Sequence, residues 1–415
     1  MAATKGRARA TWAQQRFLVV LGLPTLALAL GATTISSYVP VLLRDFTGPL
    51  VSGALLATEG VFALFVPTIV GRMSDRTRSR LGGRLPFLLV AAPMAALGLI
   101  AAPFANSLLL IALAIAVFYI AYFIYFTPYM ALYPDLVDDE LAGRAQGSVG
   151  AWREVGLGLA LVGGGLLISL WRPLPFVFAA AVILVITAVF VWRVRGPVMA
   201  ARSPVRTPSG GRTRGASRRL LRRRPELRAA LAANALWETA LSALRAFVVL
   251  FFIVGLDRSP AFTSAVLGGV VLAAFVAAPV AGVLADRFSH QRVIGISLWF
   301  YAIGLSLPLF TTGPWVIVAL PFVAFAATTV MTLPFALIMS LMPRDGDNGA
   351  ATGLFGLSRG VGLIAGPLLA GAAIAASGST GLFADTEGYT ALFGVGALAL
   401  FASMPLLRRT RAAYD

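Results

Sequence analysis

The sequence predicts an all-α membrane protein, twelve transmembrane helices in two pseudo-symmetric six-helix bundles. Three observations predict it. Apolar residues make up 59% of 415 positions and charged residues only 12%, with a mean hydropathy of +0.86. The apolar residues fall in runs long enough to cross a bilayer, which takes about 20 helical residues. Third, Pro128, Gly147, Arg153 and Gly156 recur at a constant offset of 206 as Pro334, Gly353, Arg359 and Gly362.

In order, the spans are expected at 16–43, 49–71, 85–105, 107–133, 146–170, 174–194, 229–256, 262–284, 291–311, 314–342, 350–377 and 387–407. The first follows a basic stretch, as a signal peptide would, but its run to Leu43 exceeds the apolar core of about 7–15 residues that such peptides carry. Between the sixth and seventh spans, 195–228 holds eleven arginines and one acid, Glu226. Its Pro/Gly/Ser/Arg composition reads as a linker between a bundle at 1–194 and another at 229–415. Arg44, Arg172 and Arg258 lie in loops on one side, and Arg153, Arg245 and Arg359 inside spans. The other 28 of the 34 basic residues fall on the opposite side. Basic loops stay cytoplasmic, so both termini are expected in the cytoplasm, and arginine-rich usage suggests the inner membrane of a bacterium.

A net charge of +17 would suggest nucleic acid in a soluble chain. Here topology accounts for it, so a lipid bilayer is expected as partner and nucleic acid is not. With no cysteine, and with the single histidine, His290, in a loop, neither thiolate metal sites nor an intramembrane histidine relay can form. No metal, cofactor or catalytic constellation is expected, nor any association beyond a monomer.

Two stretches repeat a motif. Gly71-Arg-Met-Ser-Asp75-Arg76 leads into Arg78, Arg80, Gly82, Gly83, Arg84, Pro86 and Phe87, and Gly282-Val-Leu-Ala-Asp286-Arg287 repeats its first part. Read as a loop, it needs Gly71 for close helix approach, Asp75 to accept from a helix N-terminus, and Arg76, Arg80 and Arg84 to hold the membrane surface. This motif resembles the signature loop of the major facilitator superfamily. Ser74 to Phe87 is similar to the form in sucrose transporters and the glycoside–pentoside–hexuronide:cation symporters, although Gly83-Arg84-Leu85 stands where those carry three basic residues. The resemblance implies alternating access and a gating role for Gly71, Asp75, Arg76, Arg80, Arg84, Gly282, Asp286 and Arg287.

Charge inside a span is costly and marks function. Glu59, Arg153, Glu154, Glu238, Arg245 and Arg359 qualify. Arg153 resembles the fifth-helix arginine that contacts sugar in the melibiose-type symporters; a structural arginine paired with an acid is the plainer alternative. Glu154, a helical step of 100° away, is not its natural partner. Glu59 is the only acid of the second span. The melibiose-type family carries paired aspartates where this chain has Ala63 and Pro67. One desolvated carboxylate suits a proton better than sodium, which wants several oxygens. Glu59 and Arg359 are expected to meet across the contact of the second and eleventh helices as a proton-controlled switch, with a permanent ion pair as the plainer alternative.

Asn234, Trp237, Glu238, Ser242 and Arg245 form a polar stripe along the seventh span, expected to face water or solute. Phe118, Tyr122, Tyr125, Tyr129 and Tyr133 form an aromatic face on the fourth, suited to a sugar ring. Thr33 and Thr34 add small hydroxyls from the first. The reading is proton-coupled symport of a small-molecule sugar or glycoside, with proton-driven efflux of an amphipathic compound as the alternative. Arg153, Tyr122, Tyr125, Tyr129, Thr33, Thr34, Asn234, Trp237 and Arg245 are expected at the substrate, and Glu59, Glu238 and Arg359 at the proton.

Overall fold

The computed structural model describes residues 12–410 except 78, 80, 138–140, 201–220, 223, 289 and 342–347. Twelve of its helices are long and apolar enough to cross a membrane, matching the twelve expected. They are α1 (Trp12–Leu43), α2 (Pro49–Arg76), α3 (Leu85–Phe104), α4 (Leu108–Ala131), α5 (Ala142–Gly158, a π turn over Leu159–Gly163, then Gly164–Leu170) and α6 (Leu174–Ala200). The second set is α7 (Pro225–Leu250 with a π turn over Phe251–Gly255), α8 (Pro260–Phe288), α9 (His290–Ser306), α10 (Pro314–Thr332 and Pro334–Ser340), α11 (Asn348–Thr380) and α12 (Ala391–Arg409).

Proline opens α2, α7, α8 and α10, where its missing N–H would be unpaired anyway and its fixed φ suits the first turn. Ser107 caps α4 by accepting from the backbone N–H of Leu110. Two boundaries differ from expectation. α2 runs to Arg76 and α8 to Phe288, so Gly71, Asp75, Arg76, Gly282, Asp286 and Arg287 are helical. No breaker precedes Gly82, which takes φ +86°. Gly83 then lies against the last carbonyls of α2, where a Cβ would come 2.6 Å from Thr77 O and 3.1 Å from Ser74 O.

The halves repeat in packing as well as in sequence. In the first, α1 packs on α5 and α6, α4 on α2 and α3, and α3 on α6. In the second, α7 packs on α11 and α12, α10 on α8 and α9, and α9 on α12. One buried core gathers Leu21, Leu88, Phe118, Phe176 and Phe190; another gathers Trp237, Phe247, Tyr301, Phe393 and Leu400. Around both, Leu97, Val185, Phe300, Phe322 and Leu398 stand exposed. Trp12 and Trp192 lie towards the end that carries the termini, and Trp171 and Trp315 towards the far end, all exposed. An apolar belt with tryptophan at both margins fits a bilayer.

The halves meet along α2–α11, α5–α8 and α1–α7. The contacts near the far end are backbone on backbone. Gly371 of α11 sits on the carbonyl of Pro49, and Gly165 of α5 sits on that of Pro260. These two glycines are again 206 apart, so the far-end seal obeys the repeat. At the termini end, α4 and α5 make no comparable packing with α10 and α11 among the described residues. The cleft between the halves opens there.

Candidate functional site

The intramembrane charges gather at the cleft, but their pairing differs from expectation. Arg359 does not hold Glu59; its Nε lies 3.3 Å from Glu238 Oε1. The glycine pattern of α11 explains this. Gly360 packs on Leu64 of α2, whereas Gly362 and Gly366 pack on Ala235, Thr239 and Ser242 of α7. Arg359 is three residues before Gly362 and shares that second face. Its side chain is 44% accessible although protein surrounds it, so it lines the cleft.

Glu59 instead accepts a hydrogen bond from the Tyr119 hydroxyl at 3.2 Å and has no ion pair among the described residues. Glu154 does prove to be the partner of Arg153, at 2.8 Å from Nη2, because a long arginine can fold back over the 100° between adjacent residues. Arg245 has no side-chain partner among the described residues, and its Nε is buried without an acceptor. Tyr122, partly exposed, lies within electrostatic reach of Arg359, Glu59, Arg245 and Arg153 together.

The aromatic face of α4 divides. Tyr122 stacks on Phe126 with ring centroids 5.7 Å apart and stays at the cleft. Tyr125 bonds Thr187 at 3.0 Å, and Tyr129 bonds Thr25, Leu21 O and Tyr133 at 2.7, 2.8 and 2.8 Å. Both rings are buried in the first core and reach away from the cleft. Thr33 and Thr34 are buried as well. The α7 stripe is likewise consumed by packing and does not face water as expected. Asn234 donates to Ser358 at 2.8 Å, Trp237 donates to Ser403 at 2.8 Å, and Ser242 donates to Gly362 O at 2.9 Å. Each bond satisfies a buried polar group at a helix contact. Tyr119 was not among the expected residues. It is three residues before Tyr122, hence on the same helical face, and that spacing was available in the sequence.

At the termini end, Arg84 lies 2.9 Å from Asp135 and 3.9 Å from Asp75. Asp75 and Arg76 are exposed. A Cβ on Gly71 would meet only Thr127 Cγ2 at 3.7 Å, so packing in this state does not require glycine there. Arg287 is exposed, whereas Arg80 and the side chains of Asp286 and His290 lie outside the described residues. At the far end, Arg44 pairs with Glu387 across the halves at 3.1 Å, and Arg172 pairs with Asp45 at 2.6 Å. Arg44, Ser52, Phe247, Ile374, Glu387 and Tyr389 line a cavity of about 380 Å³ beneath that pair. Burial raises the Tyr389 phenol above its ordinary value, with Arg44 opposing the shift. No group of three metal-ligating side chains occurs among the described residues.

Comparison with known proteins agrees with this geometry. A family model described as MFS/sugar transport protein matches residues 20–407. No curated protein sequence matches the chain. Among solved structures, the chain is similar to a mutant form of the nucleoside transporter NupG, with a TM-score of 0.73 and 16% identity over 94% of this chain and 99% of that one. It is also similar to a bacterial homologue of the human lysosomal transporter Spinster in an inward-facing, occupied conformation. There the TM-score is 0.75 at 14% identity, over 98% and 96% of the two chains. The POT family transporter PepTSo gives 0.71 at 13% identity, over 97% and 99%. These likenesses are of fold. With the family match over most of its length, the chain belongs to the MFS/sugar transport proteins: it is a major facilitator superfamily transporter, an integral membrane protein that moves a small molecule by alternating access, and not an enzyme.

Proposed function

We propose that the protein is a proton-coupled symporter of a sugar or glycoside, with both termini in the cytoplasm of a bacterium and the cleft therefore open inwards. One observation carries the coupling. Glu59 sits inside a span with a neutral phenol as its hydrogen-bond partner and no arginine paired to it among the described residues. A lone acid inside a span with no paired cation is the kind of group that carries protons in transporters. Arg359 does not clamp Glu59, and the proton is released when the halves rock and the surroundings of Glu59 change. The sugar reading rests on the family described as sugar transport proteins and on what lines the cleft. Arg153, at 57% side-chain accessibility, offers a planar fork of donors suited to adjacent hydroxyls, and Tyr122 offers a ring face.

In this reading Tyr125, Tyr129, Thr33, Thr34, Asn234 and Trp237 shape the walls behind the site, while Tyr122, Arg153 and Arg245 touch solute. Glu238 and Arg359 stay paired within the second half and hold its polar wall. The motif residues Gly71, Asp75, Arg76, Arg80, Arg84, Gly282, Asp286 and Arg287 belong to the gate at the termini end. The test is uptake into proteoliposomes under an inward proton gradient. Wild type should accumulate a sugar uphill and lose this with a protonophore. Glu59→Gln should keep exchange of labelled for unlabelled solute but lose accumulation. Accumulation by Glu59→Gln equal to wild type removes Glu59 as the coupling group.

A further inference from the structure

The two far-end seals share one layout and differ in what crosses them. In the first, Gly371 of α11 sits on the Pro49 carbonyl, and Gly53 of α2 sits on the Pro367 carbonyl. Gly53 lies four residues after Pro49, and Pro367 four before Gly371. In the second, Gly165 of α5 sits on the Pro260 carbonyl. Here the residue four after Pro260 is Ser264, and the residue four before Gly165 is Leu161. Glycine brings no side-chain donor to its carbonyl, whereas the Ser264 hydroxyl donates to Leu161 O at 3.2 Å. That bond runs from the second half to the first.

The backbone of α5 is arranged to receive it. A π turn over Leu159–Gly163 disturbs the regular ladder of the helix at this point. The Tyr38 hydroxyl of α1 enters there. It donates to the same Leu161 O at 3.2 Å and stands within reach of the Gly165 N–H and of Ser264. A carbonyl oxygen has two lone pairs, and each half supplies one donor. Glycines make the room: a Cβ on Gly164 would lie 2.6 Å from Tyr38 Cζ, and one on Gly165 would fall on Ser264 Oγ. Both hydroxyl-bearing residues are buried.

We infer that Ser264 is the latch of the far end: it holds the Leu161 carbonyl only while that end is shut, and Tyr38 keeps the carbonyl satisfied when the latch lets go. Tyr38 and Leu161 belong to the first half and travel together as the halves rock, while Ser264 leaves with the second. A buried acceptor left without a donor costs more than the bond itself. The second donor removes that cost, so opening gives up one neutral hydrogen bond and closing regains it. The latch acts on one seal of the two, which makes the far gate asymmetric. It belongs to the empty carrier, whatever solute and ion are moved.

The test therefore needs no solute. Purified protein in nanodiscs carries Ile374→Cys, on the wall of the far-end cavity, as the reporter, and the chain has no cysteine of its own. Ser264→Ala removes the latch and leaves Tyr38 in place. It should raise the rate of labelling by a water-soluble maleimide about 2–12-fold, the population ratio that one neutral hydrogen bond sets. Ser264→Gly, which gives the second seal the composition of the first at this position, should act in the same direction. Tyr38→Phe keeps the bond between the halves and should not raise the rate. Ala91→Cys, in the first core, should stay unlabelled in the Ser264→Ala background, and melting curves establish that folded protein is compared. An unchanged rate at Ile374→Cys in folded Ser264→Ala and Ser264→Gly overturns the inference. So does a rise in Tyr38→Phe equal to that in Ser264→Ala, because the bond between the halves is then not what holds the seal. Labelling of Ala91→Cys overturns it too, by showing that the whole half has loosened.

Discussion

Gly53 offers the sharpest perturbation of the far-end seal. A Cβ there would fall on the carbonyl oxygen of Pro367, 3.0 Å from its carbon and 3.4 Å from Gly371 Cα. All three are backbone atoms of α11, which have no rotamer to escape into, so relief requires α2 and α11 to part. Ordinary contact begins near about 3.5 Å. Gly53→Ala therefore asks for roughly 1 Å of separation, and Gly53→Leu for more. Overpacking of this kind typically costs about 1–3 kcal/mol. If parting the far end relieves it, the equilibrium shifts towards the far-open state by about 5–150-fold, at 1.4 kcal/mol per tenfold. The chain has no cysteine, so a single reporter has no background. Ile374 is 1% exposed on the wall of the far-end cavity. A membrane-impermeant maleimide should label Ile374→Cys slowly, and several-fold faster once Gly53→Leu is added, while uptake falls because one state is held. An unchanged labelling rate, in a variant of undiminished thermal stability, would refute the reasoning by showing that the contact absorbs the side chain without opening.

Arg359→Ala strands Glu238, whose Oε2 already lacks a partner. Breaking a fully buried pair costs about 3–5 kcal/mol, less here because the arginine is 44% accessible, so yield and melting temperature should fall, and Glu238→Gln added to it should restore both. Arg44→Ala should barely change the melting temperature, since a pair that is 50% and 59% exposed is worth under about 1 kcal/mol. It should nonetheless speed labelling at Ile374→Cys, and the swap Arg44→Glu with Glu387→Arg should slow it again. Asp135→Asn should lower thermal stability more than Asp75→Asn, because Arg84 stands 2.9 Å from the first and 3.9 Å from the second. Replacing sodium by choline should leave uptake unchanged, as α2 supplies one carboxylate where a sodium site needs several oxygens.

What the sequence made legible was whatever depends on pattern. Apolar runs define the spans, and the 206-residue offset anticipates the symmetry of the packing. Side-chain partners were less legible, because they depend on which face of a glycine-rich helix meets which neighbour. α11 has glycine on two faces, Gly360 and Gly371 towards α2, and Gly362 and Gly366 towards α7. A count along the chain does not say which one carries Arg359. The α7 stripe misled for a similar reason. Polar residues at helical spacing suit a solvated face, but also a contact where Asn234 meets Ser358 and Trp237 meets Ser403. The tyrosines of α4 divided because residues three or four apart drift around the helix, carrying Tyr129 into the first core while Tyr122 stays at the cleft.

The distribution of pairs also says what can set the balance between the two open states. Arg153–Glu154, Arg172–Asp45 and Arg84–Asp135 lie within the first half, and Glu238–Arg359 within the second. A pair inside a half that rocks as one body is the same in both states, so it contributes to folding and nothing to the difference between them. The seals at Gly371 on Pro49 and Gly165 on Pro260 are uncharged contacts of one kind, placed symmetrically about the cleft. Across the divide, among the described residues, stand one ion pair, Arg44–Glu387 at the far end, worth under about 1 kcal/mol while exposed, the hydrogen bonds that Ser37 donates to Arg245 O and Ser264 to Leu161 O, and Glu59 and Arg245 without an ion pair. About 1.4 kcal/mol of differential binding shifts the balance between the two states tenfold, within what one charge-assisted hydrogen bond supplies. Under the proposed coupling, a proton at Glu59 and solute at Arg245 act on that balance directly, because neither group is held by an ion pair among the described residues.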